Sequence, residues 1–329
     1  MKTVLVTGGF GYLGRVLINK LVKNKYKVIT IDPLIYNDNS REKINKNVTT
    51  YVGLTEDKYT LKKIFEKKID YLIHLSGVSN DPTAALDPEL TNRSNIEATK
   101  NILNFSKSSG VKKFIFASSC SVYGFTGNKD FVSEKNKLNP ISKYAESKIE
   151  CEKIILNENS KNFSVTCLRK ATLYGASPRM RFDLVVNTMT GSAYQDKKII
   201  INGGNQWRPF LHVEDAADLY IRLLELNSER ISKQIFNVGS NELNLQIKDV
   251  AKIVSKIISN AKIINSKSFD NRSYKVNFDK ISLLTGWKAK KNIDYGVKEI
   301  KNLFLNKKIK NFRDINYYNI KRLIYYLNI

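Results

Sequence analysis

The sequence predicts an α/β protein built on a doubly wound parallel sheet, and three observations predict it. Apolar runs of strand length alternate with helix-periodic segments through the first half of the chain. The first run leads into a glycine-rich turn that opens a helix, and the second ends on an acid, Asp32. The 329 residues suffice for one large domain, or two intimately joined, with an ample core.

The elements follow in order. Residues 2–7 are a short apolar run ending at glycine, hence a buried strand. Residues 12–24 place Leu13, Val16, Leu17 and Leu21 on one helical face. Further strands are expected at 28–32, 71–75, 113–118 and 164–168, and helices at 61–67, 92–109 and 142–157. That alternation implies parallel pairing through right-handed crossovers. Beyond residue 175 the rhythm breaks. The run Ser177-Pro178-Arg179-Met180-Arg181 is loop-like, followed by expected helices at 183–193, 215–226 and 247–258 and strands at 198–201 and 235–238. The expected division is a sheet domain over 1–175, a smaller mixed α/β C-terminal part over 176–297 with some elements returning to the main sheet, and a basic, aromatic helical tail over 298–329. The tail's apolar spacing suits an amphipathic helix, either a packing or dimer helix or one lying on a membrane surface.

Composition excludes several classes. Hydrophobic content of 42% and charged content of 26% fit a soluble globular protein. No apolar run reaches the ~18 residues of a membrane span. The opening MKTVLVTGG passes straight into a strand and lacks the features of a signal peptide. Cys120, Cys151 and Cys167 have no metal-type spacing, so no metal is expected and a reducing cytoplasm is the simple setting. The net charge of +24 raises the question of nucleic acid. The lysines, however, are spread through every segment among Asn and Ile, without an arginine-rich arm or an aromatic-basic motif. A solvated surface and no nucleic-acid partner are expected.

Two motifs carry chemistry. Gly8, Gly11 and Gly14 allow a tight turn whose backbone amides, with the positive end of the next helix, suit a pyrophosphate. Asp32, at the end of the second strand, suits the adenosine ribose hydroxyls and repels a 2′-phosphate, and no Arg directly follows it; NAD is therefore expected rather than NADP. The second motif joins Ser119 to Tyr144 and Lys148. Tyr144 and Lys148 lie one turn apart on one helical face, where an ammonium can lower the phenol's pKa and make a base near neutrality. A serine hydroxyl beside them can bond the same substrate oxygen. The trio moves a proton on and off a carbinol oxygen, which points to nicotinamide chemistry on an alcohol or ketone.

With these motifs placed, the chain resembles the extended short-chain dehydrogenase/reductases of Rossmann type, and within them the NAD-dependent nucleotide-sugar epimerase/dehydratase family. The resemblance covers residues 1–297. It is carried further by His74-Leu75-Ser76-Gly77-Val78, by Asn95, and by Leu168-Arg169-Lys170-Ala171-Thr172-Leu173-Tyr174-Gly175. Trp207-Arg208-Pro209-Phe210-Leu211-His212-Val213-Glu214-Asp215 and Leu284-Thr285-Gly286-Trp287 complete it. The resemblance implies Tyr144 as general base, Ser119 as its assistant, and Lys148 on the nicotinamide ribose. It implies cofactor contacts at Gly8, Phe10, Gly11, Tyr12, Leu13, Asp32, Leu54, Leu75, Ser76, Gly77 and Lys170, besides Tyr144 and Lys148. On the substrate side it implies Ser79, Ser119, Cys120, Ser121, Tyr144 and Thr172. Arg208 would hold the substrate pyrophosphate with its guanidinium fork, Arg272 would be a second phosphate ligand, and Arg179 and Arg181 would flank the nucleotide. An ordinary ion pair is the alternative for each arginine. Both histidines, His74 and His212, fall in strand motifs and read as structural; Cys120 reads as a packing thiol or a sugar contact.

The chain departs from the family pattern in two places. Gly53-Leu54-Thr55 lacks the Asp that meets adenine, and Thr172 stands where the epimerases often carry Asn. A 4,6-dehydratase needs an Asp-Glu pair after the catalytic Ser/Thr, where this chain has Cys120-Ser121. What remains is hydride removal and return at C4: an NDP-sugar 4-epimerase, with a C4 dehydrogenase or 4-ketoreductase as the alternative. The intact Ser/Tyr/Lys set argues against a non-catalytic NAD-binding sensor. A role in carbohydrate biosynthesis and a homodimer through a four-helix bundle of 92–109 and 142–157 are implied by the resemblance alone.

Overall fold

Seven parallel strands form the central sheet of the computed structural model, which describes residues 1–36, 47–126, 131–266 and 272–327. β1 (Thr3–Thr7) lies inside it, with β2 (Lys27–Asp32) and then β3 (Val48–Val52) on one side. On the other side come β4 (Tyr71–His74), β5 (Lys113–Ser119), and the strands Ser164–Lys170 and Gln234–Val238. Every residue of β1 and β4 is buried, as expected for a parallel sheet covered on both faces. The chain leaves β1 for β2 on one side and later returns to β4 on the other. The crevice at the carboxyl ends of β1 and β4 is therefore the switch point where such sheets take ligands.

Each face has its own helical cover. On one, α1 (Tyr12–Lys23) packs against the helix Val213–Glu225, burying Leu17 and Leu21 with Leu219 and Leu223. On the other, α2 (Lys58–Phe65) and the helices Ala98–Ser108 and Lys143–Asn157 bury Leu61, Ile64, Ile102, Cys151 and Ile155. A third cluster joins the helices Val185–Asp196, Ile247–Ile257 and Ile293–Leu305 through Val186, Val250, Val254 and Val297. Smaller sheets lie in this later part, including Thr172–Tyr174, Trp207–His212 and Asn244–Gln246 in one and Lys198–Asn202 with Lys262–Ser266 in another.

Three expectations are corrected. The segment 92–109 is not one regular helix: Asn92–Glu97 forms a π-helical turn before the α-helix Ala98–Ser108. That turn carries the buried Asn95, whose amide clasps the Val78 backbone on both sides, accepting from its N–H at 2.7 Å and donating to its carbonyl at 3.2 Å. The expected helix at 61–67 instead begins at Lys58, because Asp57 caps it by accepting from the Tyr59 N–H. The tail does not begin at 298. The helix Ile293–Leu305 runs across that point with Val297, Ile300 and Phe304 buried, and only the last helix, Asn319–Leu327, stands apart, packed on Asp81–Leu86. No described helix is long and apolar enough to cross a membrane.

Candidate active site

The glycine turn is built for close approach. Gly8 has φ +70°, and a Cβ there would come within 2.9 Å of the Ser76 amide nitrogen. A Cβ on Gly14 would stand 2.3 Å from the Gly8 carbonyl, so α1 could not start where it does. Thr7 joins the turn to the next strand end: its hydroxyl accepts from the Leu75 and Ser76 N–H groups, both at 3.1 Å. Asp32 is buried at the end of β2. Its carboxylate accepts from the Phe10 N–H at 2.9 Å and the Leu34 N–H at 2.8 Å. Burial raises its pKa, and those two bonds and the Arg179 charge oppose the rise. An open glycine cradle, an uncapped helix N-terminus at Gly11 and an anchored carboxylate fit the pyrophosphate and ribose of NAD. Leu54 stands partly exposed beyond β3, and Thr55, after it, meets the Ser76 hydroxyl at 3.1 Å. Gly77 has φ +120° and faces Asn95 closely. Tyr12 is committed elsewhere: its hydroxyl donates to the Gly175 carbonyl at 2.5 Å and accepts from Asn187 at 3.1 Å, so only its backbone belongs to the cradle.

Ser119 is the last residue of β5, and its hydroxyl accepts from the Ser121 N–H at 3.1 Å. Ser142 caps the helix Lys143–Asn157 through the Ala145 N–H, which fixes Tyr144 in the first turn and Lys148 one turn later. Both are buried, and the Lys148 Nζ stands 5.7 Å from the Tyr144 ring centroid and 4.8 Å from that of Phe116. In the protein by itself, burial dominates at both Tyr144 and Lys148. Burial raises the phenol's pKa, a hydrogen bond with Ser119 opposes this, and burial lowers the Lys148 pKa. Lys170, paired with Ser119 across the sheet, donates to the Ser118 carbonyl at 3.1 Å. Burial, with the Lys148 charge adding to it, pushes its pKa down to about 7.

A buried network behind these residues went unread in the sequence. Glu152, one turn after Lys148, forms an ion pair with Arg169 at 2.6 Å and accepts from the Ser118 hydroxyl at 2.5 Å. Arg169 also donates to the Tyr123 hydroxyl at 3.0 Å. The one-turn spacing of Lys148 and Glu152 was the available signal. Cys120 takes its packing alternative: its thiol is buried, directed at the Arg169 carbonyl at 3.1 Å, and burial raises its pKa. The Ser121 hydroxyl is buried without a hydrogen-bond partner.

The opposite wall is assembled from distant segments. Thr172 is half-buried at the start of its strand. Arg208, buried, lies over the Tyr274 ring at 5.3 Å and donates to the Trp207 and Arg272 carbonyls. Arg272 pairs with Asp81, which also accepts from Ser142. Arg181 pairs with both oxygens of Asp183, at 2.8 and 2.9 Å, and reaches the Ser79 hydroxyl at 3.5 Å. Arg179, expected beside the substrate nucleotide, instead stacks over Tyr36, 4.4 Å from its centroid, on the Asp32 side of the crevice. The two histidines are engaged within the fold: His74 bridges Thr7 (2.7 Å) and Thr99 (3.0 Å), with burial lowering its pKa to about 3, and His212 meets Glu299 at 3.0 Å. Among the described residues no cluster of metal-ligating side chains occurs.

Residues 4–239 match the description "NAD dependent epimerase/dehydratase family". The chain is 28% identical over 311 residues to a UDP-glucose 4-epimerase of Lactobacillus helveticus, covering 88% of this chain and 93% of that protein. It is 26% identical to a dTDP-D-glucose 4,6-dehydratase of Dictyostelium discoideum, covering 96% of this chain and 86% of that one. Among solved structures, a UDP-glucuronic acid 4-epimerase from Bacillus cereus in complex with UDP-glucuronic acid and NAD superposes with a TM-score of 0.81 at 26% identity, covering 92% and 99% of the two chains.

Proposed function

The chain belongs to the NAD-dependent epimerase/dehydratase family, and we propose that within it the protein is an NDP-sugar 4-epimerase. The observation that carries this reading lies at the end of β5. There Ser119, Tyr144 and Lys148 converge, while the next two positions hold the packed thiol of Cys120 and the hydroxyl of Ser121, with no acid to expel water. The relatives include both 4-epimerases and 4,6-dehydratases, and this difference in side chains favours the former.

Tyr144 takes the proton of the C4 hydroxyl, and Ser119 holds the same oxygen by a hydrogen bond. Lys148 supports the phenolate with its ammonium: the low local dielectric strengthens that attraction, while burial by itself lowers the Lys148 pKa. Bound NAD supplies the hydride acceptor and donor at C4. After the 4-keto sugar turns over about its pyrophosphate, Tyr144 returns the proton to the oxygen. Arg208 and Arg272 hold the pyrophosphate during that turn, their guanidinium forks matching its oxygens. Gly8, Gly11 and Asp32 hold NAD through the cycle, with Lys148 and Lys170 beside its nicotinamide end.

The reading extends to a cytoplasmic homodimer acting in carbohydrate biosynthesis. Three buried free cysteines suit a reducing compartment, and half-buried Ile96, Ile149 and Ile154 on the two expected bundle helices leave apolar surface for a second copy. The test incubates the protein with NAD and UDP-, GDP- and dTDP-hexoses, following sugars by NMR and reduced cofactor by absorbance. A C4 epimer without accumulating NADH is expected. A 4-keto sugar accompanied by matching NADH would make the protein a C4 dehydrogenase instead.

A further inference from the structure

We propose that Asp81 is a positioning residue of the catalytic site: its carboxylate fixes the start of the helix that carries Tyr144 and also holds Arg272, so one group sets both the base and an arginine of the opposite wall. The inference rests on the reading of Tyr144 as the general base and of Arg272 as a phosphate ligand. The short helix Asp81–Leu86 lies directly against the base, for Val78, just before it, and Ala84, within it, pack on the buried Tyr144. Asp81 opens that helix, and its two oxygens go to different partners. One accepts from the Ser142 hydroxyl, the same hydroxyl that caps the helix Lys143–Asn157 by accepting from the Ala145 N–H at 3.2 Å. The other pairs with Arg272, whose backbone carbonyl accepts in turn from Arg208. Asn80 braces the same turn. Its side-chain carbonyl accepts from the Thr83 N–H at 3.0 Å, and its amide donates at 3.1 Å to Asp183, the partner of Arg181.

Polar and charged groups reach Tyr144 from several elements. Lys148 stands one turn along its own helix, and Ser119, Asp81, Arg181 and Tyr274 act on it from other segments. Burial does most to raise the phenol's pKa. The Ser119 hydrogen bond and the Arg181 charge lower it, while Asp81 and Tyr274 raise it. A carboxylate beside a phenol disfavours the phenolate, and Arg272 offsets that charge by pairing with Asp81. Both partners of the pair are partly exposed, so an anion that draws the guanidinium toward itself changes the field at the base. The carboxylate's two tasks are separable by substitution. Asparagine at position 81 still accepts from Ser142 but no longer forms an ion pair with Arg272; alanine does neither.

The test follows kcat/KM against pH on the NAD-loaded full chain, with whichever nucleotide hexose of the panel it epimerises. Activity rises with pH as Tyr144 loses its proton. Asp81→Asn removes the negative charge and is expected to move that rise about one unit toward lower pH. Arg272→Ala leaves the carboxylate unopposed and is expected to move it the other way. The same Arg272→Ala change made in the Asp81→Asn background is expected to add no shift, because the arginine acts through the carboxylate. Hydrogen exchange over 143–147 supplies a readout without turnover: faster in Asp81→Ala, which frees Ser142, and unchanged in Asp81→Asn. A rise in Asp81→Asn that coincides with that of the unmodified chain overturns the proposal, as does an Arg272→Ala shift of equal size in both backgrounds, or exchange that Asp81→Ala leaves unchanged. Each of these leaves the epimerase reading intact. An unmodified chain that turns over no nucleotide hexose overturns the epimerase reading instead, and the exchange comparison then decides for or against Asp81 as the group that fixes the helix.

Discussion

The two walls of the crevice are built in different ways. One comprises β5, the strand Ser164–Lys170 and the helix Lys143–Asn157: regular elements, with their charges paired inside the protein through Glu152, Arg169 and Ser118. The other comprises Ser79, Asp81, the strap 179–183, Arg208 and Arg272, drawn from segments far apart in the chain and tied mainly by side chains reaching one another. The first wall holds a proton-transfer geometry that tolerates little displacement. On the proposed reading the second meets the nucleotide and sugar, and its pairs can re-form on ligand oxygens. On that reading, reaction type is written into rigid elements, and specificity into contacts between remote ones.

The largest expected effect breaks the first wall at its chemistry. Tyr144→Phe removes the proton acceptor and is expected to lower kcat by about a thousandfold while leaving NAD affinity near that of the unmodified chain. Turnover surviving that change would assign the base elsewhere. Next in size is the support behind it. Glu152→Gln leaves Arg169 buried without its carboxylate and is expected to cost ~3–5 kcal/mol of stability, read from urea unfolding. A cost near zero would show that this wall is not stiffened by its buried pair.

A pH series sharpens the comparison further. Lys170 has its pKa pushed down to about 7 by burial, against ~10.4 in an unfolded chain. Between those values the unfolded state binds the proton that the folded state has lost, so stability rises with pH through that window. The penalty is fully present below about 7. Lys170→Met is expected to flatten that rise in urea midpoints; an unchanged slope would assign it to other groups. The smallest stability effect belongs to the second wall. The Arg272–Asp81 pair is partly exposed, so Arg272→Ala is expected to cost no more than ~1 kcal/mol. The same change is expected to raise KM for the nucleotide sugar about tenfold, the loss of a charge-assisted contact with its pyrophosphate. An unchanged KM would make Arg272 only a partner of Asp81.

Legibility in the sequence followed the same division. The parallel sheet, the glycine turn with Asp32, and the Ser119, Tyr144 and Lys148 set were all readable, because each depends on spacing within one strand, turn or helix. β3 was not assigned as a strand, though Val48–Val52 is rich in β-branched residues; it is a half-exposed edge without a clean apolar run. Glu152 sat one turn beyond Lys148 and was passed over, since its partner Arg169 lies on a different strand. Arg179, remote from Asp32 in sequence, brings its charge near that carboxylate, a meeting that spacing along the chain does not show.

By itself, then, the sequence determined the fold class, the glycine turn and the candidate Ser119, Tyr144 and Lys148 set, because local periodicity and spacing specify them before any tertiary contact forms. Only the tertiary structure decided that burial raises the Tyr144 pKa and lowers those of Lys148 and Lys170, that Cys120 packs in the core, and that the tail closes on Ser79 and Ile35. Desolvation and long-range hydrogen bonding depend on which distant segments meet, and no spacing along a single chain encodes that meeting.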